Sequence, residues 1–398
     1  MASVEDFVEY LTARSGAPLS ILVGCERVDC PIELVCALVV ARGASVDDIL
    51  SLLHESVSME ELEAALRIVQ IAGKTTGTAN PEDGLDAARI MKDPKYALQI
   101  QEVLSGVPKR VVSELIASAG EIFFALTMNA VGCRVVQKLI EVAPLEDALR
   151  VVHPDLTFRV IECSLDVNGN HVIQKIIDLF PSAECRFIVD AILADPSSVR
   201  RLSLHCYGCR VIQRLMSRCS VGEVSEILES LCSDPATISA LSNDVFGNYV
   251  MQHAIEFGRD IDRERITICL ASLNLVELGC SKFASNVVEK AIRACNKSPG
   301  AGFTLSANTV IVTRLLLNSL LVESSDRGIL TLMKDRYGNY VVRAVIELTR
   351  PEFREEVSRI KAIIIENANV LKKYTFGWHL VERLDKMATR NQTIPPYV

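Results

Sequence analysis

The chain has 398 residues, of which 49% are hydrophobic and only 5% aromatic, so it has material for a large buried core and is not a disordered chain. Its formal charge of −8 excludes a uniformly basic nucleic-acid binder, but the acidic excess is local. Residues 1–115 hold 10 Lys/Arg against 18 Asp/Glu, and the remaining 283 hold 32 of each, so any basic surface must come from sorting charge onto one face.

The first eighty residues read as acidic and helical, punctuated by Pro31 and Gly43, and form a cap or a degenerate repeat. Within them ALRIVQIAG (65–73), with Arg67 and Gln70, mimics strings found further on. GKTT (73–76) is no phosphate loop, because Ile68 stands where that loop needs glycine. The start, MASVEDFVEYL, lacks the basic segment and apolar run of a secretory signal, and no apolar run is long enough to span a bilayer. Thirteen cysteines are scattered without the histidine spacing of a zinc site, and several, such as Cys36 and Cys269, lie in apolar runs that suit reduced core thiols. A reducing, cytoplasmic location is expected, with no membrane contact, metal or cofactor.

From residue 94 onward one motif recurs. It reads PKYALQIQEV from Pro94, GCRVVQKLIE from Gly132, GNHVIQKIID from Gly169, GCRVIQRLMS from Gly208 and GNYVMQHAIE from Gly247. It continues as ASNVVEKAIR from Ala284, GNYVVRAVIE from Gly338 and a weaker GWHLVERLDK from Gly377. Taking the second residue as marker, the steps from Cys133 are 37, 39, 39, 37, 54 and 39; the long step contains NKSPGAGFTLSAN (296–308), whose composition marks a surface loop. The Pro94 copy is placed with its marker at Lys95. Amphipathic segments at 221–231, 263–273 and 354–364 lie between the copies, so each unit of about 38 residues is expected to hold three helices. Such units bury their apolar faces only by stacking, which predicts an all-α solenoid of about eight repeats.

Within each copy, apolar pairs such as Val135, Val136, Leu139 and Ile140 share one helix face, which is core. Three polar places recur beside them: Cys133-Arg134…Gln137, Asn170-His171…Gln174, Cys209-Arg210…Gln213, Asn248-Tyr249…Gln252, Ser285-Asn286…Glu289 and Asn339-Tyr340…Arg343. The outer two places lie one helical turn apart and can address one object together. The middle side chain is planar and fits between stacked objects, as splayed single-stranded RNA bases are. Lys138, Lys175, Arg214 and Lys290 on the same helices supply the charge sorting that RNA requires. A Ser/Glu pair suits guanine, whose N1–H and N2–H a carboxylate accepts together. An Asn/Gln pair matches the alternating edge of uracil, and a small Cys beside Gln leaves room for adenine.

These strings, their length and the order of the triplets resemble the Pumilio (PUF) family of RNA-binding proteins over about residues 90–385; TLMKDRYGNYVV (331–342) and KKYTFGWHLVERL (372–384) resemble its last repeat and C-terminal cap. The resemblance implies a right-handed α-solenoid crescent of three-helix repeats, with residues 81–398 forming the array and its cap. It implies base-edge contacts from the outer two residues of each triplet and stacking from the middle one. It implies Asn/Gln for U, Cys/Gln for A and Ser/Glu for G, with the N-terminal repeats at the RNA 3′ end. Carried over, this gives 5′-UGUAUA-3′. Arg343 departs from the expected Gln and only donates, so the first base is U, C or loosely read. Tyr96 and Gln99 are carried over as stacking and edge residues of the Pro94 copy, where Lys95 names no base. His379 is a further candidate contact at the 5′ end, beside Trp378. The resemblance implies no enzyme activity. It implies post-transcriptional repression of messenger RNA through 3′ untranslated regions, with deadenylase or translational-repressor proteins on the outer face. The alternatives are an armadillo-type protein-interaction scaffold and a ribosome-maturation relative with relaxed RNA preference; regular triplets argue against both.

Overall fold

The computed structural model describes residues 87–106, 109–296, 305–322 and 328–392. The expectations for residues 1–80, including the Arg67/Gln70 string, and for most of the 296–308 loop lie outside these residues. Among the described residues every regular element is a helix. They belong to two compact units, one ending at Phe180 and one starting at Pro181.

The unit of construction is a short helix, a tight turn, a longer motif-bearing helix and an outer helix. The motif helices are α1 (Pro94–Leu104), α2 (Gly132–Val142) and α3 (Gly169–Leu179) in the first unit. In the second they are α4 (Gly208–Arg218), α5 (Gly247–Phe257), α6 (Ala284–Ala294), α7 (Gly338–Ile346) and the terminal α8 (Thr375–Gln392). Within each unit successive motif helices pack side by side, forming a ladder. The expected three helices per repeat are present: Val160–Leu165 precedes α3, and in the second unit Pro235–Asn243 precedes α5, which Asp260–Ser272 follows.

Helix geometry explains the core. Val135, Val136, Leu139 and Ile140 of α2 and Val172, Ile173, Ile176 and Ile177 of α3 are all 3% exposed or less. The same registers repeat in α4 to α7. Each such side chain contributes about 1.5–3 kcal/mol on burial, far more than the exposed ion pairs on the outer helices, such as Arg186–Glu226 at 2.8 Å.

The glycine at or near the start of six of the motif helices has a steric cause. A Cβ at Gly132, Gly169, Gly208, Gly247, Gly338 or Gly377 would lie 2.7–2.8 Å from the carbonyl oxygen of the residue six positions earlier, inside van der Waals contact. The short helix and the motif helix meet there backbone to backbone. Three residues ahead of the glycine sits a turn-setting side chain that the sequence pattern did not single out. Asp166, Asp244 and Asp335 accept through Oδ1 from the backbone N–H groups two and three residues on, at 2.7–2.8 Å. Asn129 does the same at 2.9 Å, with His205 Nδ1 and Ser281 Oγ in looser versions. This turn fixes where the helix starts and hence where its first side chains project.

Candidate nucleic-acid interface

The six triplets of α2 to α7 share one exposure pattern. The first residue is buried, the second exposed and the third half-buried. Burial of the first residue differs from the sequence expectation of an open polar face, and the turn is its cause. Asn170 Nδ2 donates to the carbonyls of Asp166 and Val167 at 2.8 and 2.9 Å, and Asn248 Nδ2 to those of Asp244 and Val245 at 2.8 and 3.0 Å. Asn339 Nδ2 reaches the Asp335 carbonyl at 2.9 Å. Cys133 and Cys209 donate their thiols to the carbonyls of Ala130 and Cys206 in the same place. Burial raises both thiol pKa values, so both remain protonated donors at neutral pH. Cys206 and Cys209 form a C-x-x-C pair within this turn and are both free thiols. Ser285 is likewise buried at 5%.

The first residue in turn orients the third. Gln174 Nε2 donates to Asn170 Oδ1 at 2.9 Å, and Gln252 Nε2 to Asn248 Oδ1 at 3.0 Å. In α2 the thiol offers no such acceptor, and Gln137 Nε2 turns to the Cys133 backbone carbonyl at 3.0 Å. The glutamine amide therefore has a different anchor in α2 than in the Asn repeats α3 and α5, although the residue itself is the same. Gln213 is half-buried at the corresponding place in α4.

The middle residues Arg134, His171, Arg210, Tyr249, Asn286 and Tyr340 are all exposed, Tyr249 and Tyr340 at 54% and 48%, although Asn286 Nδ2 donates back to the carbonyls of Lys282 and Phe283. Exposed aromatic rings in line with buried polar residues suit flat ligands stacked between them.

Three placements differ from the sequence reading. The Pro94 copy sits one residue earlier than assigned. Tyr96 is 3% exposed and packs in the core with Ala97 and Ile100, and the Arg89 guanidinium lies 4.1 Å over its ring. The core register of Tyr96, Ala97 and Ile100 puts the α1 triplet at Pro94, Lys95 and Leu98, all three exposed, so this copy does not share the pattern of α2 to α7. Tyr96 is therefore not the exposed stacking residue, and Gln99, though exposed, lies beside the frame. Second, the expected charge sorting is largely paired on the ladder: Lys138 and Lys175 bind Glu141 at 3.0 and 2.5 Å, and Lys290 binds Glu256 at 2.6 Å. Hydrogen bonds from Lys175 and then Lys138 hold the Glu141 carboxyl below its usual range. Third, Arg343 is held by Glu347, its Nε donating to Oε1 at 2.9 Å.

Glu347 is 16% exposed in its side chain and also accepts from Arg293 Nη1 at 3.0 Å and Arg383 Nη2 at 2.8 Å. Burial pushes its carboxyl up, but the hydrogen bonds from Arg343 and Arg293 outweigh this and lower it below 4.5. A depressed folded-state pKa means the stabilisation is present above the unfolded value and lost as pH falls through the folded one. Thermal melts across the acid range should therefore show a shallower loss of Tm for Glu347→Gln than for the parent protein; parallel curves would place the linkage elsewhere. At the end of the ladder, Trp378 is 43% exposed with the His379 ring 5.1 Å away, edge to face.

Among the described residues no cluster of side chains could hold a metal ion, and no helix is long and apolar enough to cross a membrane. What the fold and the ladder define is an all-helical repeat protein presenting one buried, one exposed and one half-buried side chain per repeat. Six stretches, residues 123–153, 159–193, 198–232, 238–267, 274–298 and 328–357, match the Pumilio-family RNA binding repeat, and the chain belongs to the Pumilio family. A Pumilio domain-containing protein of Schizosaccharomyces pombe is 32% identical over 262 residues, 66% of this chain and 34% of that protein. The suppressor protein MPT5 of Saccharomyces cerevisiae is 27% identical over 244 residues, 56% of this chain and 28% of that one. The chain thus spans about a third of the length of these curated relatives. Among solved structures, PUF-8 in complex with PBE-RNA superposes with a TM-score of 0.66 at 24% identity, covering 87% of this chain and 95% of that one. The RNA-binding domain of yeast Puf5p bound to AAT2 RNA gives 0.63 at 22%, covering 94% and 99%.

Proposed function

We propose that the chain binds single-stranded RNA in a sequence-specific way, with the preferred core 5′-UGUAUA-3′ and a first base of U or C. It acts by binding, not by catalysis. The observation that carries this reading is the identical exposure pattern of the six triplets on the motif helices of each unit. A half-buried edge residue beside an exposed planar one is what a base needs, an edge partner and a stacking face. The differing anchors of Gln174 and Gln137 support U at the Asn repeats and A at the Cys repeats, because the amide meets the base in different settings. Glu289 offers guanine a carboxylate. Residues 81–398 would form the reading array and its cap. The outer helices are left for protein partners of the deadenylase or translational-repressor kind, in a cytoplasmic protein that represses messages through their 3′ untranslated regions.

Stacking contributes about 1–3 kcal/mol per base, so six bases suffice for tight binding after the cost of ordering the strand. The test is a titration of labelled UGUAUA-containing RNA against the same RNA with G replaced by A. Affinity should fall by about tenfold or more, the scale of a lost hydrogen bond to a charged group. Equal affinity for both RNAs would reject the assignment.

A further inference from the structure

Four of the six triplets end in a neutral glutamine, and two end in a charge, Glu289 and Arg343. The residue one turn beyond the triplet behaves differently in α2 and α5 on one side and α6 and α7 on the other. In α2 and α5 it is Glu141 and Glu256, and each reaches across to a lysine of the next helix, Lys175 and Lys290. In α6 and α7 it is Arg293 and Glu347, and each turns back onto its own triplet. Arg293 Nε donates to Glu289 Oε1 at 2.7 Å, and Arg343 Nε donates to Glu347 Oε1 at 2.9 Å. Arg293 Nη1 then joins the two helices through Glu347 Oε2 at 3.0 Å. Glu289, Arg293, Glu347 and Arg343 thus form a chain of alternating charge along the ladder, with Arg383 of α8 added at Glu347.

We propose that Arg293 and Glu347 are positioning residues that set specificity at the first two bases, an inference that rests on the reading given under Proposed function. A free glutamate samples several rotamers, and a carboxylate aimed at both N–H groups of guanine needs one of them. Arg293 occupies Oε1 of Glu289 from one side and fixes the side chain, leaving Oε2 and the remaining lone pair of Oε1 for the base. Glu347 engages Nε of Arg343 and leaves its terminal nitrogens as donors toward the first base. Asn339 Nδ2 gives one of its two N–H groups to the Asp335 carbonyl, which anchors the buried amide to the turn and leaves the Arg343 terminal nitrogens as the more exposed donors beside it. Those donors complement the N3 and O2 acceptors of cytosine better than uracil with its central N3–H. The Arg293–Glu347 contact makes the two positions interdependent.

The experiment compares the parent protein with Arg293→Gln, Arg293→Lys and Glu347→Gln, using RNAs altered singly at the first, second or fifth base. The fifth, assigned to Asn170 and Gln174, is the internal reference. Arg293→Gln should reduce the preference for G over A by about tenfold, the scale of a misplaced charge-assisted hydrogen bond, and leave the fifth-base preference unchanged. Arg293→Lys keeps the charge and should recover part of that preference. Glu347→Gln should change the first-base preference between C and U and lower the preference for G to a smaller extent. Equal loss at the second and fifth bases would mean a general structural effect and would overturn the proposal, as would full retention of G preference in Arg293→Gln. If the parent protein itself ignores G, the underlying reading fails. If the parent prefers G and both Gln variants match it, only the positioning role fails.

Discussion

Replacing Ser285 by Asn and Glu289 by Gln together should turn a preference for UGUAUA into a preference for UUUAUA. The physical reason lies in the donor and acceptor order. The carboxylate of Glu289 only accepts and suits the two N–H groups of guanine, whereas uracil presents O4 and O2 to it and would be repelled. An Asn in place of Ser285 would donate to the carbonyls of the preceding turn and hold the new glutamine through its Oδ1, as Asn170 and Asn248 do. Hydrogen bonds to a charged group contribute about 1.5–3 kcal/mol, so the parent's G-over-U ratio should lie at about ten- to a hundredfold, and the double variant should reverse its direction. Competition titration with the two RNAs measures this. A double variant that binds both RNAs as the parent does would mean that these two residues do not face the base.

The second large effect concerns the fold. Gly247→Val should destabilise the second unit by about 1–3 kcal/mol, or several degrees in Tm, because overpacking at a backbone contact has no flexible side chain to absorb it. The added Cβ would stand 2.7 Å from the Leu241 carbonyl oxygen and 3.0 Å from its Cα. Gly222, whose Cβ would meet only Ser220 Oγ at 4.0 Å, provides the control: Gly222→Ala should leave Tm unchanged or raise it by a few degrees, since an exposed helical glycine gains propensity on this exchange. Equal melting of Gly247→Val and Gly222→Ala would show that the short helix can move aside at low cost.

The repeat frame was legible in the sequence because core and polar positions recur together over the α2 to α7 copies, and burial in the structure follows the same registers. The copy at Pro94 was misplaced by one residue because it lacks the glycine that anchors the frame elsewhere. Tyr96 looks like a stacking ring in sequence, yet only burial reveals that it points into the core. The buried state of Asn170 and Asn248 was not legible either. It depends on side-chain donation to backbone carbonyls of the turn, those of Asp166 and Val167 in one copy and of Asp244 and Val245 in the other, a geometry that residue identity alone does not report. The turn-setting acids were visible as letters, but their role depends on side-chain-to-backbone geometry that no apolar periodicity reports. The charge chain through Arg293 and Glu347 escaped for a related reason. Its two ends lie 54 residues apart in sequence and meet only when α6 packs on α7.

The amide pairs Asn170–Gln174 and Asn248–Gln252 are already joined before any nucleotide arrives. A reading head assembled in advance gives up little freedom when it engages its target, so the entropic burden of association falls on the polynucleotide. RNAs whose binding element is already unpaired and extended should therefore be captured faster than those that must first melt a hairpin, with the protein itself changing little between the two.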